Sequence, residues 1–180
     1  MMKHILLSTF GLLLIVLCSF VDPDKHLNKL ANRVWGKHSW SAEAIVLPDS
    51  LRGDIAALRK ISVSGVEEGY VCYTTAYGCR VGGCASPSNA NAQSYETFDY
   101  VIAFDQSLAI RQIDIVSYGG EYGYEICRAG WLKQFEGKTG SIQLGHDIDG
   151  ITGATVSATF LVDDVNGLLR VMNSVVVRES

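Results

Sequence analysis

Apolar residues recur along this chain at two different spacings, and the change of spacing marks the predicted elements. In residues 23–35 they recur at three- and four-residue steps, which predicts a short amphipathic helix. The same steps return in residues 158–172 and predict a longer helix. Its buried face should consist of Ala158, Leu161, Val165, Leu168 and Met172.

The middle of the chain instead favours strands. Residues 61–63 and 69–75 are rich in β-branched and aromatic side chains, and the stretch 65–69 between them indicates a hairpin. Residues 98–104 and 108–117 predict two further strands joined by a turn at 105–107. We also expect an extended run at 44–47, short helices at 51–60 and 126–135, and a surface loop at 77–94.

The N-terminal residues have the composition of an export signal. Lys3 and His4 precede an uncharged apolar run over residues 5–21, and Asp22 follows it. We interpret residues 1–22 as a signal peptide or an uncleaved membrane anchor, with lipidation at Cys18 as the less favoured alternative. Residues 23–180 then form one domain in an extracytoplasmic, periplasmic location, where membrane association through the N-terminal segment is possible.

The charge distribution argues against a nucleic-acid partner. The formal net charge is −4, and the lysines and arginines form no cluster along the sequence.

One glycine-rich stretch carries the clearest chemistry. Residues 149–157 read DGITGATVS and lead into the second amphipathic pattern. Gly150 and Gly153 permit backbone torsions that other residues avoid, and Thr152 is a residue type that caps helices. A helix N-terminus favours an anion such as phosphate, and the hydroxyl of Thr155 falls beside that position.

This stretch resembles the flavin-attachment motif of the FMN-binding domain family. That family includes the C subunit of the sodium-pumping NADH:quinone reductase and the G subunit of Rnf-type electron-transfer complexes. Two upstream blocks are also similar to the family, GYEI at 123–126 and WLKQFEGK at 131–138, in the same order and spacing. The resemblance spans residues 69–169.

The resemblance implies an α+β fold, with a mostly antiparallel twisted sheet and packed helices. It implies that a flavin transferase joins FMN through its phosphate to the hydroxyl of Thr155. The carboxylate of Asp149 is then expected to serve transferase recognition. The other residues expected to bind the cofactor are Thr152, Gly153, Ala154, Ser157, Glu121, Gly123 and Tyr124.

The flavin-side loop departs from the family pattern. Rnf-type members carry an acidic residue followed by Thr-Pro-Gly-Leu-Gly, whereas this chain has Glu121-Tyr122-Gly123-Tyr124. The loop keeps an acid and a glycine, but the contacts to the flavin ring are not carried over.

The function that the resemblance implies is an extracytoplasmic electron carrier. Tethered FMN would relay electrons between a membrane-bound redox complex and a downstream acceptor. One alternative is a flavin-dependent reductase acting directly on a small extracytoplasmic substrate, with Glu121 or Glu125 as acid–base groups. Another is a binding or sensory module without flavin, which the presence of Thr155 disfavours.

Four of the five cysteines lie beyond the N-terminal segment, and disulfides are their default state in an exported chain. Cys79 and Cys84 can close a short loop, which leaves Cys72 and Cys127 to pair. Free thiols and a metal site remain alternatives, although the cysteine spacing matches no common zinc or iron–sulfur pattern. The histidines show no ligand spacing either, so we predict no metal.

Overall fold

The computed structural model describes residues 22–37, 39–80 and 95–179, without the side chains of Arg80 and residues 177–179. Its first helix, α1 (Pro23–Trp35), has the predicted bounds. The Asp22 carboxylate accepts a hydrogen bond from the Asp24 amide at 3.0 Å, and Pro23 occupies the first helical position. The chain leaves the helix at Gly36, whose φ is 86°.

Five strands form one antiparallel sheet in which sequence neighbours are also spatial neighbours. Their bounds are Trp40–Ala44 (β1), Ile55–Val63 (β2), Val66–Arg80 (β3), Tyr95–Asp105 (β4) and Ile110–Tyr118 (β5). The predicted hairpin joins β2 to β3 through Ser64 and Gly65, which both have positive φ, as a tight two-residue turn requires. The predicted turn between β4 and β5 is held by the Asp105 carboxylate, which accepts hydrogen bonds from the amides of Ser107 and Ala109.

Short helical elements follow the sheet before the last helix. They are a four-residue 3₁₀ turn (Tyr124–Cys127), α3 (Ala129–Leu132) and a second 3₁₀ turn (Lys133–Phe135). The chain then runs without regular helix or strand to α4 (Thr155–Glu179). A four-residue helix, α2 (Asp49–Arg52), precedes β2.

The two long helices cover opposite faces of the sheet. Leu27, Leu30 and Ala31 of α1 pack on Val71 and Val101, within a small buried cluster. The larger cluster lies on the other face, beneath α4. All five residues predicted for the buried face of that helix lie in it: Ala158, Leu161, Val165, Leu168 and Met172. The predicted α+β fold with an antiparallel sheet is therefore confirmed.

The helix predicted over residues 51–60 is wrong. Only Asp49–Arg52 is helical, and β2 begins at Ile55. Leu58 and Ile61, three residues apart, resemble one helical stripe, yet they enter the clusters on opposite faces of the sheet. A strand that is covered on both faces buries side chains at odd as well as even steps, which imitates a helical pattern.

Three other predicted bounds shift. The extended run near residues 44–47 is β1 and ends at Ala44, and the helix expected over 126–135 is divided into three short turns. The last helix begins at Thr155, so its N-cap position is Ala154. Thr152 lies two residues before that position, and it forms no capping hydrogen bond in the described part of the chain.

Neither α4 nor any other helix in the described ranges has the length and hydropathy that a bilayer span requires. Residues 1–21, which include most of the predicted export segment, lie outside those ranges. The surface loop predicted at 77–94 begins too early, because residues 77–80 are the end of β3, and its remaining residues 81–94 also lie outside the described ranges.

Candidate functional site

The DGITGAT stretch is a fixed turn at the start of α4. The Ala154 amide donates to the Ile151 carbonyl at 3.1 Å, and Gly153 has a φ of 87°. Ile148 and Ala154 are buried beside the sheet, so the turn is anchored at both ends. Thr152 and Gly153 lie between these anchors and are exposed.

The second sequence block, WLKQFEGK, holds this turn directly. The indole N–H of Trp131 donates to the Asp149 carbonyl at 2.7 Å, and the Asp149 amide donates to Gln134 Oε1 at 2.9 Å. The Trp131 ring packs edge-on against Phe135, which is fully buried. The two blocks that were separate signals in the sequence therefore form one structural unit.

A third anchor fixes the irregular segment that leads to the turn. The Asn166 side chain of α4 accepts a hydrogen bond from the Ile142 amide and donates one to the Ile142 carbonyl, both at 2.8 Å. The Asp147 carboxylate accepts from the Gln143 amide at 2.9 Å, which keeps the pKa of Asp147 below its usual value. These contacts hold the start of α4 in place.

Thr155 is the first residue of α4 and is exposed. Its hydroxyl donates a weak hydrogen bond to the Ile151 carbonyl at 3.3 Å. The first amides of a helix lack intrahelical partners and carry positive partial charge. The Thr155 side chain therefore lies at a helix end that favours a nearby anion.

Ser157, by contrast, faces the interior, and its exposed fraction is 1%. Its hydroxyl lies 2.8 Å from the Tyr118 hydroxyl, which also donates to the Tyr122 carbonyl at 2.5 Å. Burial raises the pKa of Tyr118, and the hydrogen bond with Ser157 opposes that effect. Tyr118 therefore links the predicted flavin-side loop to the first turn of α4.

Gly123 is buried at the same junction and has a φ of 87°. A Cβ at this position would lie 2.3 Å from the Ser157 hydroxyl and 2.7 Å from the Tyr118 hydroxyl. No side chain fits there, so we infer that Gly123 allows the loop to pack closely against Ser157 beside the predicted site.

The exposed rim of the loop consists of Glu121, Tyr122 and Tyr124, and the two tyrosines are 48% and 58% exposed. Glu125 follows on the 3₁₀ turn and points toward the flavin-motif turn. Its Oε1 lies 3.8 Å from the position of a Cβ at Gly153, and its Oε2 is buried without a hydrogen-bond partner among the described residues. The loop and the motif are therefore adjacent in space.

The side chain of Asp149 is exposed, whereas its main chain is held on both sides. The carboxylate forms no hydrogen bond or ion pair within the described ranges.

The predicted bridge between Cys72 and Cys127 is wrong for this structure, in which both are free thiols. Cys72 is buried in the cluster beneath α4, whereas Cys127 lies with Val101 in a groove on the opposite face of the sheet. The sheet separates them. Burial raises the pKa of both thiols. Cys79 is buried near the end of β3, and its predicted partner Cys84 lies outside the described residues.

Sequence reasoning did not identify the roles of Tyr118, Gln134 and Asn166. Tyr118 was visible only as part of a glycine- and tyrosine-rich loop, and Gln134 only as part of a motif. Asn166 is one polar residue in an amphipathic helix, and nothing in its spacing indicates that it clamps a loop.

Within residues 22–37, 39–80 and 95–179, no three histidine, cysteine or carboxylate side chains gather closely enough to hold a metal ion. A scan against models of protein families finds no match for this chain. A search of curated proteins finds no significant match either.

Proposed function

We propose that this protein is an extracytoplasmic electron carrier with FMN covalently attached to Thr155 by a flavin transferase. The observation that carries the proposal is the unit formed by two motifs. Trp131 and Gln134 hold the main chain of Asp149, and Thr155 is exposed where this unit leads into α4.

The local geometry suits an enzyme that must reach this hydroxyl. Thr155 is exposed on a turn anchored by Ile148 and Ala154, so a transferase meets a fixed acceptor. The product is a phosphodiester with a negative charge beside the N-terminus of a 25-residue helix. Such a placement stabilises an anion by about 0.3–1 kcal/mol.

The adjacent loop offers surfaces for the isoalloxazine ring. Tyr122 and Tyr124 expose aromatic faces, and such faces pack well on flat ligands. When bound, FMN supplies the electron-transfer chemistry, and the protein supplies attachment, orientation and local charge. Glu121 and Glu125 would add negative charge near the ring, which favours its oxidised form.

The physiological role that fits such a scaffold is electron relay between a membrane-bound redox complex and a downstream acceptor. A covalent tether suits an exported protein, because attachment no longer depends on the concentration of free FMN. The proposed location rests on the signal peptide or membrane anchor predicted over residues 1–22.

A second candidate is a flavin-dependent reductase that acts directly on a small substrate. The half-buried carboxylate of Glu125 favours it, because a general acid or base must lie near the ring. Its Oε2 has no hydrogen-bond partner in the part of the chain that the structure describes, and it lies beside the predicted flavin site. Turnover of a small oxidant that falls in Glu125→Gln, with flavin content unchanged, would distinguish this enzyme from a carrier.

The proposal is tested by co-producing the protein with a flavin transferase. We expect the peptide that contains Thr155 to gain the mass of FMN less one water, and Thr155→Val to lose it. Thr159→Val changes another exposed threonine, one helical turn further along α4, and should keep the label. Flavin that survives denaturation in Thr155→Val would refute attachment at this residue.

A second test separates recognition from folding. Asp149→Ala removes a carboxylate but keeps the main-chain groups that bond to Trp131 and Gln134. The variant should unfold at the same denaturant concentration as the parent and be poorly flavinylated. Asp163→Ala, which removes an exposed carboxylate from α4, is the control. Full labelling of Asp149→Ala would exclude the recognition role.

A further inference from the structure

A groove of about 480 Å³ lies on the face of the sheet that α1 covers. It runs along β5, the edge strand of the sheet, between α1 and the segment that contains α3. None of the residues predicted for the flavin site lines it. The groove is within the size range of small-molecule sites in proteins.

The walls of the groove combine apolar surface with positive charge. Val101, Val116 and Leu132 contribute apolar side chains. Arg33 forms an ion pair with Asp114, so these two lining charges compensate each other. Lys29 and Lys133 form no ion pair with any described residue.

Apart from the compensated pair of Arg33 and Asp114, the charged residues that line the groove are Lys29, Lys133 and Glu136. The groove therefore keeps a net charge of about +1 in a chain whose formal charge is −4. Local positive charge on an acidic protein concentrates anions at that place. Apolar walls add to the affinity in proportion to the apolar surface that a ligand buries.

We propose that this groove binds a small organic anion with an apolar body. The ammonium groups of Lys29, on α1, and Lys133, on the segment that contains α3, hold the anionic group, and the apolar walls contact the body of the ligand. The proposal does not depend on flavin attachment, since the groove is complete in the polypeptide alone.

Cys127 provides a reporter inside the groove. Its thiol is exposed and lines the groove, whereas Cys72 is fully buried on the other face of the sheet. A ligand in the groove covers Cys127 and leaves the environment of Cys72 unchanged. Alkylation of Cys127, followed by peptide mass mapping, therefore reads occupancy at this site alone.

The test uses the full chain with Thr155→Val, which excludes tethered flavin. The probe is 8-anilinonaphthalene-1-sulfonate, an aromatic anion, and N-phenyl-1-naphthylamine is its uncharged analogue. At saturating sulfonate we expect the alkylation rate of Cys127 to fall about fivefold or more, as burial of a thiol requires.

Charge reversal then tests the role of the two lysines. The double variant Lys29→Glu/Lys133→Glu should bind the sulfonate about tenfold more weakly and the uncharged analogue within about twofold of the parent. The control, Lys25→Glu/Lys37→Glu, changes the net charge equally at exposed positions outside the groove and should retain sulfonate affinity. Unchanged alkylation of Cys127 under saturating sulfonate, or an equal loss of affinity in the control, would overturn the proposal.

Discussion

The two faces of the sheet are covered to different extents. Beneath α4, 27 buried residues form one cluster that also takes in the segment after β5 and the turn before α4. Beneath α1, the cluster has eight buried residues, and the groove along β5 stays open beside it. One face is closed by a 25-residue helix and the other is partly covered by a 13-residue helix.

This difference separates two kinds of site. On the closed face, buried anchors hold the backbone before Thr155. The partly covered face leaves an open groove with uncompensated lysines. The proposed attachment site and the proposed binding groove thus lie on opposite sides of one sheet.

The largest expected effect is the loss of stability when a core leucine is truncated, and we compare this loss between the two faces. Leu161→Ala in α4 and Leu30→Ala in α1 each remove a fully buried leucine side chain. We expect losses of about 4 and about 2.5 kcal/mol in the free energy of unfolding, because the short helix can shift toward its cavity and the long helix cannot. Urea denaturation of both variants measures this. Equal losses would mean that both faces are equally rigid.

A second effect tests the junction between the flavin-side loop and α4. Gly123→Ala adds a Cβ that collides with the Ser157 and Tyr118 hydroxyls at a residue with positive φ. We expect a loss of about 2–4 kcal/mol from overpacking and backbone strain together. Thermal or urea unfolding gives the value.

Gly137→Ala is the matched control for that substitution. Gly137 also has a positive φ of 76°, but no atom lies within 4 Å of an added Cβ. Only strain remains, so we expect a loss of about 1 kcal/mol. Similar losses at Gly123 and Gly137 would show that the close packing against Ser157 has no energetic importance.

The sequence predicted the elements whose apolar residues lie on one face only. The pattern of α1 indicated residues 23–35, and the structure has the same bounds, because one face of that helix is solvated. The hairpin between β2 and β3 was also predicted, although its turn is at Ser64 and Gly65 rather than over residues 65–69. Residues 55–60 of β2 were predicted as part of a helix, because neighbouring elements cover both faces of this strand and a local pattern does not reveal that covering.

The candidate site, too, was predictable only where the signal is local in the sequence. The position of Thr155 at a helix start followed from glycines and from the apolar pattern after it. The contacts from Trp131, Gln134 and Asn166 join residues 15 to 24 positions apart. Such pairs depend on how the elements pack, so a single sequence could suggest the motifs but not the bonds between them.

A third prediction removes one hydroxyl from the junction. Tyr118→Phe keeps the ring that stacks on Phe98 but leaves the buried Ser157 hydroxyl without this partner. We expect a loss of about 1–2 kcal/mol in unfolding free energy. Tyr122→Phe is the control, because its exposed hydroxyl forms no hydrogen bond among the described residues. Flavin attachment should slow in Tyr118→Phe alone, since Tyr118 ties the loop to the start of α4.

The smallest effect is the pH dependence of stability that comes from one carboxyl of α4, that of Asp164. Asp164 accepts a hydrogen bond from the Tyr100 hydroxyl at 2.6 Å, and burial raises its pKa, an effect to which the nearby Asp54 carboxylate adds. The same burial raises the pKa of Tyr100, so the tyrosine stays protonated and remains the donor. Because the folded protein holds the Asp164 proton more tightly than the unfolded chain does, the stability from this carboxyl is greatest below about pH 4.

As the pH rises through the raised pKa of Asp164, that contribution is lost, because the folded state must then hold a buried charge. Asp164→Asn keeps an oxygen acceptor for Tyr100 and cannot ionise. The stability of the parent minus that of the variant should therefore fall between about pH 4 and about pH 7, measured by urea unfolding in matched ionic strength. Asp163→Asn alters the neighbouring exposed carboxylate of the same helix and controls for helix charge. A difference that grows toward pH 7 would mean that the hydrogen bond from Tyr100, which favours the ionised form of Asp164, has a larger effect on its pKa than burial has.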